Sequence, residues 1–148
     1  MVQQIPNTST QRSLSADSGN VAFDSEGRIG VDDAVSRARV ATKAYARIVR
    51  AWQLDDLSAR RMISVDSHTW AQIKDEAWSK PLEKEQLMRI SAIVNLYEVL
   101  HSCFNDDLAD RWVKRPNTGS IFSGRKPVDV MIEGGLPVMM KTWHYMSA

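Results

Sequence analysis

The histidines and the single cysteine are the side chains of this 148-residue chain best suited to covalent or metal chemistry. His68, His101 and His144 are far apart in sequence, none has a second histidine four positions away, and no Cys-x-x-Cys occurs. Cys103 follows His101 by two positions, a spacing that directs the two side chains to different sides of a helix. We therefore expect no catalytic residues, no metal ligands and no cofactor, and a protein that is not an enzyme.

Residues 119–126, Gly-Ser-Ile-Phe-Ser-Gly-Arg-Lys, have the glycine spacing of a phosphate-binding loop without its chemistry. That motif needs a lysine and then a magnesium-binding hydroxyl after the second glycine, but Arg125 and Lys126 stand there. No hydrophobic strand precedes the segment either. A turn between two helices accounts for both glycines.

Basic residues are concentrated in one part of an otherwise nearly neutral chain. The whole sequence has 19 Lys and Arg against 18 Asp and Glu, a net charge of +1. Residues 37–61, however, hold seven basic side chains and only two acids, Asp55 and Asp56. A local basic surface of this kind can bind phosphate groups without giving the whole protein a nonspecific affinity for anions.

The elements that position these residues are predicted to be helices, so the fold class is all-α. Residues 1–30 are rich in polar residues without apolar periodicity and predict a disordered or loosely packed tail. From Asp32 onward, apolar residues recur at steps of three and four, and no alternating strand pattern is longer than a few residues. We expect helices over 32–52, 54–63, 68–78, 82–104, 107–113, 127–132 and 137–146.

The second and third predicted helices, joined by a short turn, have the proportions of a helix-turn-helix. The third helix would then place its first residues in the major groove of DNA, and basic residues nearby would hold the phosphates. A polar, solvent-exposed helix pair is the alternative. The candidate DNA-binding residues are Arg47, Arg60, Arg61, Ser67, His68, Thr69, Gln72 and Lys74.

The last 18 residues contain four of the seven methionines together with Trp143 and Tyr145. Part of this set must belong to the core. Because exposed methionine and aromatic side chains favour protein interfaces, a partner surface is the equally weighted alternative.

The C-terminal third resembles the toxin-binding domain of Xre-type antitoxins. The resemblance rests on the ordered series Trp112, then Pro116-Asn117, then Gly124-Arg125-Lys126-Pro127-Val128-Asp129. It is strongest from residue 104, and the helix-turn-helix and long helix upstream extend it to about residue 31. Val113 and Val130-Met131 depart from the family's leucines, and the loop over 118–123 is longer than the family's turn.

The resemblance implies an antitoxin that binds a cognate RES-type toxin, an NAD-consuming enzyme, and blocks its active site. It also implies a homodimer that represses its own operon by binding operator DNA. Carried over by position, Trp112 and Asn117 would shape the toxin-binding module, whereas exposure favours Arg125, Lys126 and the last helix as contacts. From that helix the candidates are Met139, Met140, Trp143 and Tyr145.

Three segments follow from this interpretation: the tail over 1–30, a helix-turn-helix domain with connecting helix over 31–103, and a toxin-binding domain over 104–148. The chain lacks a secretory signal and any stretch of 18 apolar residues, so we expect a cytoplasmic protein without a membrane partner. The main alternative is a stand-alone helix-turn-helix repressor whose C-terminal region only dimerises.

Overall fold

The computed structural model describes residues 30–148, and all but the last residue of the tail predicted over 1–30 lies outside this range. Within it the chain forms helices and no strand, as the all-α prediction requires. The seven helices of this range are α1 (Val31–Trp52), α2 (Asp56–Met62), α3 (Ser67–Lys74), α4 (Lys84–Cys103), α5 (Asp106–Trp112), α6 (Pro127–Gly134) and α7 (Leu136–Ser147).

Local capping groups set most helix starts. The side chains of Asp55, Asp66 and Asn105 each accept a hydrogen bond from the backbone N–H three residues later, which satisfies a donor that the first turn leaves unpaired. At α4, Glu83 and Gln86 form a reciprocal capping box. These starts lie within two residues of the predicted ones because the capping signals are local in sequence.

The C-terminal end of α3 is the clearest error in the predicted boundaries. The helix was expected to continue to Trp78 but ends at Lys74. Glu76 adopts a left-handed backbone conformation (φ 57°), and the N–H groups of Glu76 and Ala77 turn back to the carbonyls of Ile73 and Gln72. This closing turn ends the helix. Trp78 lies in the segment that connects α3 to α4 and packs against the core from there.

Helix α4 lies at the centre of the described part of the chain and packs against α1, α5 and α7. Helix α2 packs on α3 and α6, and α1 also contacts α3 and α5. One cluster of buried residues includes Tyr45 and Trp52 of α1, Leu96 of α4, Met131 of α6 and Met139 of α7. The core is therefore continuous between the two segments predicted over 31–103 and 104–148.

Candidate interaction surfaces

The α2–α3 pair is anchored to α1 by Tyr45 and Trp70. The fully buried Tyr45 donates its hydroxyl hydrogen to the Ala59 carbonyl of α2 (2.7 Å), and burial raises its pKa. The Trp70 ring of α3 meets the Tyr45 ring edge-to-face at 5.9 Å and donates its Nε1–H to Asp56 (3.0 Å). Two short helices are thus held at a fixed relative orientation, which any reading of base edges would need.

Helix α3 carries five of the eight predicted DNA-binding residues, all of them at or near the surface. Ser67 and His68 are exposed, Thr69 and Gln72 are half-buried, and the Gln72 Nε2 atom lies 3.2 Å from His68 Nε2. Lys74 differs, because its ammonium group pairs with Asp56 at 3.0 Å. The Trp70 hydrogen bond and then Lys74 lower the pKa of Asp56. A phosphate would have to compete with this carboxylate for Lys74.

The predicted phosphate-contacting arginines lie in two places. Arg47 is exposed on α1, where Arg50 pairs with Glu76 at 3.2 Å. Arg60 and Arg61 instead line a hollow that also includes Arg89 of α4 and Ile132 of α6. The sequence analysis missed Arg89, since no sequence spacing relates it to α2.

Main-chain hydrogen bonds at Asn117 close the loop between α5 and α6. The N–H of Asn117 donates to the Arg125 carbonyl (3.1 Å), and the Asn117 carbonyl accepts from Gly124 N–H (2.8 Å). The Asn117 side chain accepts a third bond, from Gly119 N–H (2.8 Å). The predicted binding residue Asn117 therefore shapes the loop. Gly119 lies close to α7, since a Cβ added at this position would lie 2.8 Å from the Tyr145 hydroxyl oxygen.

Phe122, which the sequence analysis did not single out, fills the inside of this loop. Its side chain is buried and meets Trp112 and Tyr145 edge-to-face, with ring centroids 5.7 Å apart in both pairs. Half-buried Trp112 thus supports the loop, and Tyr145 joins the loop to α7. The only sequence signal for Phe122 was the apolar pair Ile121-Phe122 within a mostly polar loop.

Arg125 and Lys126 are both exposed at the start of α6. Arg125 forms an ion pair with Glu133 at 2.9 Å, which raises the pKa of the guanidinium and lowers the pKa of Glu133. Lys126 is the N-cap residue of α6 and makes no side-chain capping bond. The charge of Arg125 is thus paired with a carboxylate, whereas Lys126 forms no ion pair with another described residue.

The last helix divides its predicted contact residues between core and surface. Met139 has no exposed surface, so its prediction as a surface contact residue is wrong: the helical turn places it in the core, as it does Thr142. Met140 and Trp143 are half-buried, and Tyr145 is 44% exposed. The α7 surface therefore combines partly exposed apolar side chains with the exposed polar residues Lys141 and His144.

His101 connects α4 to α5 through two carboxylates. Its Nδ1 lies 2.9 Å from Asp106 and its Nε2 2.8 Å from Asp110, while the ring stacks on Tyr97 at 4.1 Å. Burial alone would lower the pKa of His101, but the hydrogen bonds and charges of the two aspartates outweigh it and raise the pKa. Sequence spacing predicted no metal site for this histidine and no pairing with Cys103, and it did not indicate these two aspartates as its partners.

A groove of about 740 Å³ runs between α1 and α4. Val40 and Met88, which are 70% and 42% exposed, line it together with Ala41, Leu87 and Val94. It adds a second apolar surface to that of α7.

Neither a membrane-spanning helix nor a metal centre is found in the described range. None of the helices within residues 30–148 has both the length and the apolar character needed to cross a bilayer. The same residues contain no group of three or more His, Cys, Asp or Glu side chains that could hold a metal ion.

In comparisons with known proteins, no family model matches the chain, and no curated protein sequence or solved structure is significantly similar to it.

Proposed function

We propose that this protein is an antitoxin that binds a RES-type, NAD-consuming toxin through its α5–α7 region and blocks the toxin's active site. The observation that carries the proposal is the surface made by the 117–126 loop and α7. There, the exposed Tyr145 of α7 contacts Phe122 of a loop built from the residues of the antitoxin-like motif, and Met140 and Trp143 are partly exposed elsewhere on α7.

The motif residues have consistent structural roles in this surface. Trp112 and Asn117 fix the loop, Gly124 occupies a left-handed conformation (φ 85°) and Pro127 begins α6. A loop fixed by internal contacts loses little conformational entropy when it binds, which favours affinity. This supports a binding role for the exposed side chains that the loop displays.

The two halves of the surface are also joined directly. Phe122 touches Tyr145 of α7 and accepts, through its carbonyl, the Arg125 N–H at 2.9 Å. Cationic Arg125 and Lys126 therefore lie on the same loop that contacts Tyr145 of α7. An apolar patch with a charged rim is typical of protein interfaces.

The proposal is tested by inducing the adjacent open reading frame with and without this chain, while cellular NAD is measured. We expect NAD to fall, the chain to restore it, and the two proteins to purify as a stoichiometric complex. An unchanged NAD level and no co-purifying neighbour would overturn the assignment.

Surface variants then locate the contact. Lys126→Glu and His144→Ala change exposed side chains and should weaken neutralisation while leaving thermal stability nearly unchanged. Lys80→Glu, in the connection between α3 and α4, is the matched control and should neutralise like the natural chain. Deletion of residues 136–148 is unsuitable, because it would also remove the buried Met139 and Thr142.

A helix-turn-helix repressor, acting alone or in addition to neutralisation, is the second candidate function, with a homodimer on operator DNA as the bound form. It is favoured by the fixed α2–α3 orientation and by the exposed His68 beside Gln72. Gln72→Ala should weaken binding to one operator preferentially, and Arg47→Ala should weaken binding to all DNA and flatten its salt dependence. Unchanged affinity in both variants would overturn it.

A further inference from the structure

Three arginines from two parts of the chain line the hollow between α2, α4 and α6. Arg60 and Arg61 end α2, Arg89 comes from α4, and Ser64 belongs to the α2–α3 turn. The hollow has a volume of about 440 Å³, and Val65 and Ile132 complete its lining. It lies outside the α7 surface proposed to bind a toxin.

Arg89 is held in a single orientation by the surrounding structure. Its side chain is only 14% exposed. Nε and Nη2 donate to Glu85 at 3.0 and 2.8 Å, and Nη1 donates to the Met62 carbonyl at 3.2 Å. Because a guanidinium has five N–H donors, two of them form no hydrogen bond with other described residues.

Arg60 and Arg61 add positive charge, and the nearby carboxylates neutralise it only in part. No Asp or Glu within residues 30–148 forms an ion pair with either arginine. Glu85 is bonded to Arg89, and Asp66 attracts Arg60 only from beyond ion-pair distance. Three guanidinium groups thus face two carboxylates, which leaves the hollow with a net positive charge.

The turn residue Ser64 supplies a neutral donor beside these arginines. Its backbone is fixed in a left-handed conformation (φ 61°), with the N–H bonded to Arg61 and the carbonyl to Gln86. The Ser64 hydroxyl forms no hydrogen bond with other described residues.

We propose that this hollow binds a phosphate group. Guanidinium groups bind phosphate oxygens in paired hydrogen bonds, and a phosphate offers several oxygens to the three arginines that line this one hollow. A carboxylate offers only two oxygens, so it would satisfy this arrangement less completely. The same side chains would bind a phosphate of a nucleic-acid backbone and a phosphate of a small phosphorylated molecule.

The test is a titration of the full chain with inorganic phosphate, and then with pyrophosphate, at constant ionic strength maintained with chloride. Two-dimensional NMR should show saturable shifts of the Ser64 and Val65 amides and of the arginine side-chain N–H groups. Arg60→Ala and Arg61→Ala should each weaken phosphate binding at least about tenfold. Their thermal stability, measured alongside, shows that the loss comes from the site and not from unfolding.

Arg115→Ala is the matched control, because Arg115 is an exposed arginine outside the hollow that has no ion pair with any described residue. It should leave phosphate affinity unchanged. Absence of saturable shifts in the natural chain, or an equal loss in Arg115→Ala, would overturn the proposal.

Competition distinguishes the two sources of phosphate. If a short DNA duplex displaces inorganic phosphate and Arg61→Ala weakens duplex binding, the site takes a nucleic-acid backbone. If the duplex does not compete but a mononucleotide does, the site takes a small phosphorylated molecule. The result is independent of NAD restoration, so failure of the toxin proposal and failure of this one are distinguishable.

Discussion

The α2–α3 pair and the α5–α7 region both rest on aromatic contacts, Tyr45–Trp70 and Trp112–Phe122, but different interactions hold their surfaces. In the first, Asp56 links Trp70 and Lys74, Arg50 pairs with Glu76, and aspartates cap both helices. In the second, stacked aromatic rings and main-chain hydrogen bonds close a loop around Phe122.

The difference has a functional meaning. A polar surface held by exposed ion pairs can exchange those pairs for phosphates at little cost, because such pairs contribute little to stability. An apolar surface supported from below by aromatic packing suits burial against another protein. Under our proposal the two regions therefore suit different partners. Variants that remove an ion pair in one region or an aromatic contact in the other should separate the two kinds of interaction.

Phe122→Ala should have the largest effect. It empties the inside of the loop and removes both edge-to-face contacts, so we expect a loss of about 3–5 kcal/mol in the free energy of unfolding. Urea denaturation measures this, with Ser120→Ala, an exposed position of the same loop, as the control. A loss below about 1 kcal/mol would show that main-chain hydrogen bonds alone maintain the loop, contrary to the aromatic-packing account.

Tyr45→Phe should have the next largest effect, in the α1–α2 contact. It leaves the buried Ala59 carbonyl without its hydroxyl donor and should cost about 1–3 kcal/mol. Tyr145→Phe is the matched control in the other region, because the exposed Tyr145 hydroxyl makes no hydrogen bond that the change would remove. Equal stability changes in the two variants would contradict the anchoring role of Tyr45.

His101 should make stability depend on pH in a direction opposite to that of Asp56. Its pKa is raised in the folded protein above the ordinary value of 6.5. Its stabilising contribution is therefore complete below pH 6.5 and is lost as the pH rises through the folded-state pKa. Urea midpoints measured upward from pH 6.5 should fall for the natural chain and fall less for His101→Gln. An equal fall in both would assign the pH dependence to other groups.

Asp56→Asn should have the smallest effect at neutral pH, because the pair with Lys74 is exposed. The pKa of Asp56 is lowered below 3.8 in the folded protein, so its contribution is present above pH 3.8 and is lost as the pH falls through the folded-state value. The natural chain should thus lose stability on acidification more steeply than the variant. Parallel acid unfolding curves would show that Asp56 does not couple α2 to α3.

Helix positions were largely predictable from sequence, since their determinants are local. Asp55, Asp66 and Asn105 each begin a helix by capping it, and Pro127 stands at the first position of α6. The end of α3 was not predictable from periodicity, because apolar residues continue to Trp78 while Glu76 adopts a left-handed conformation. A periodic pattern does not reveal where the backbone turns.

The candidate surfaces were predictable only in part. The types of Trp112, Asn117 and Gly124 indicated a shaped loop, but which residue fills it depends on tertiary packing. Met139 and Met140 are neighbours of the same type, yet one is in the core and the other is partly exposed. Arg89 reaches Arg60 and Arg61 only because α4 packs beside the α2–α3 turn, a contact that sequence spacing does not encode.

The continuous buried cluster has a thermodynamic consequence for binding. Because Tyr45, Leu96 and Met139 belong to one core, opening either region exposes residues that the other needs, and the described helices should unfold in one cooperative transition. Any ligand that binds only the folded chain then protects both regions, by about 2.7 kcal/mol when its concentration is about 100 times the dissociation constant. Occupancy of one surface would thereby determine how readily a protease degrades the other.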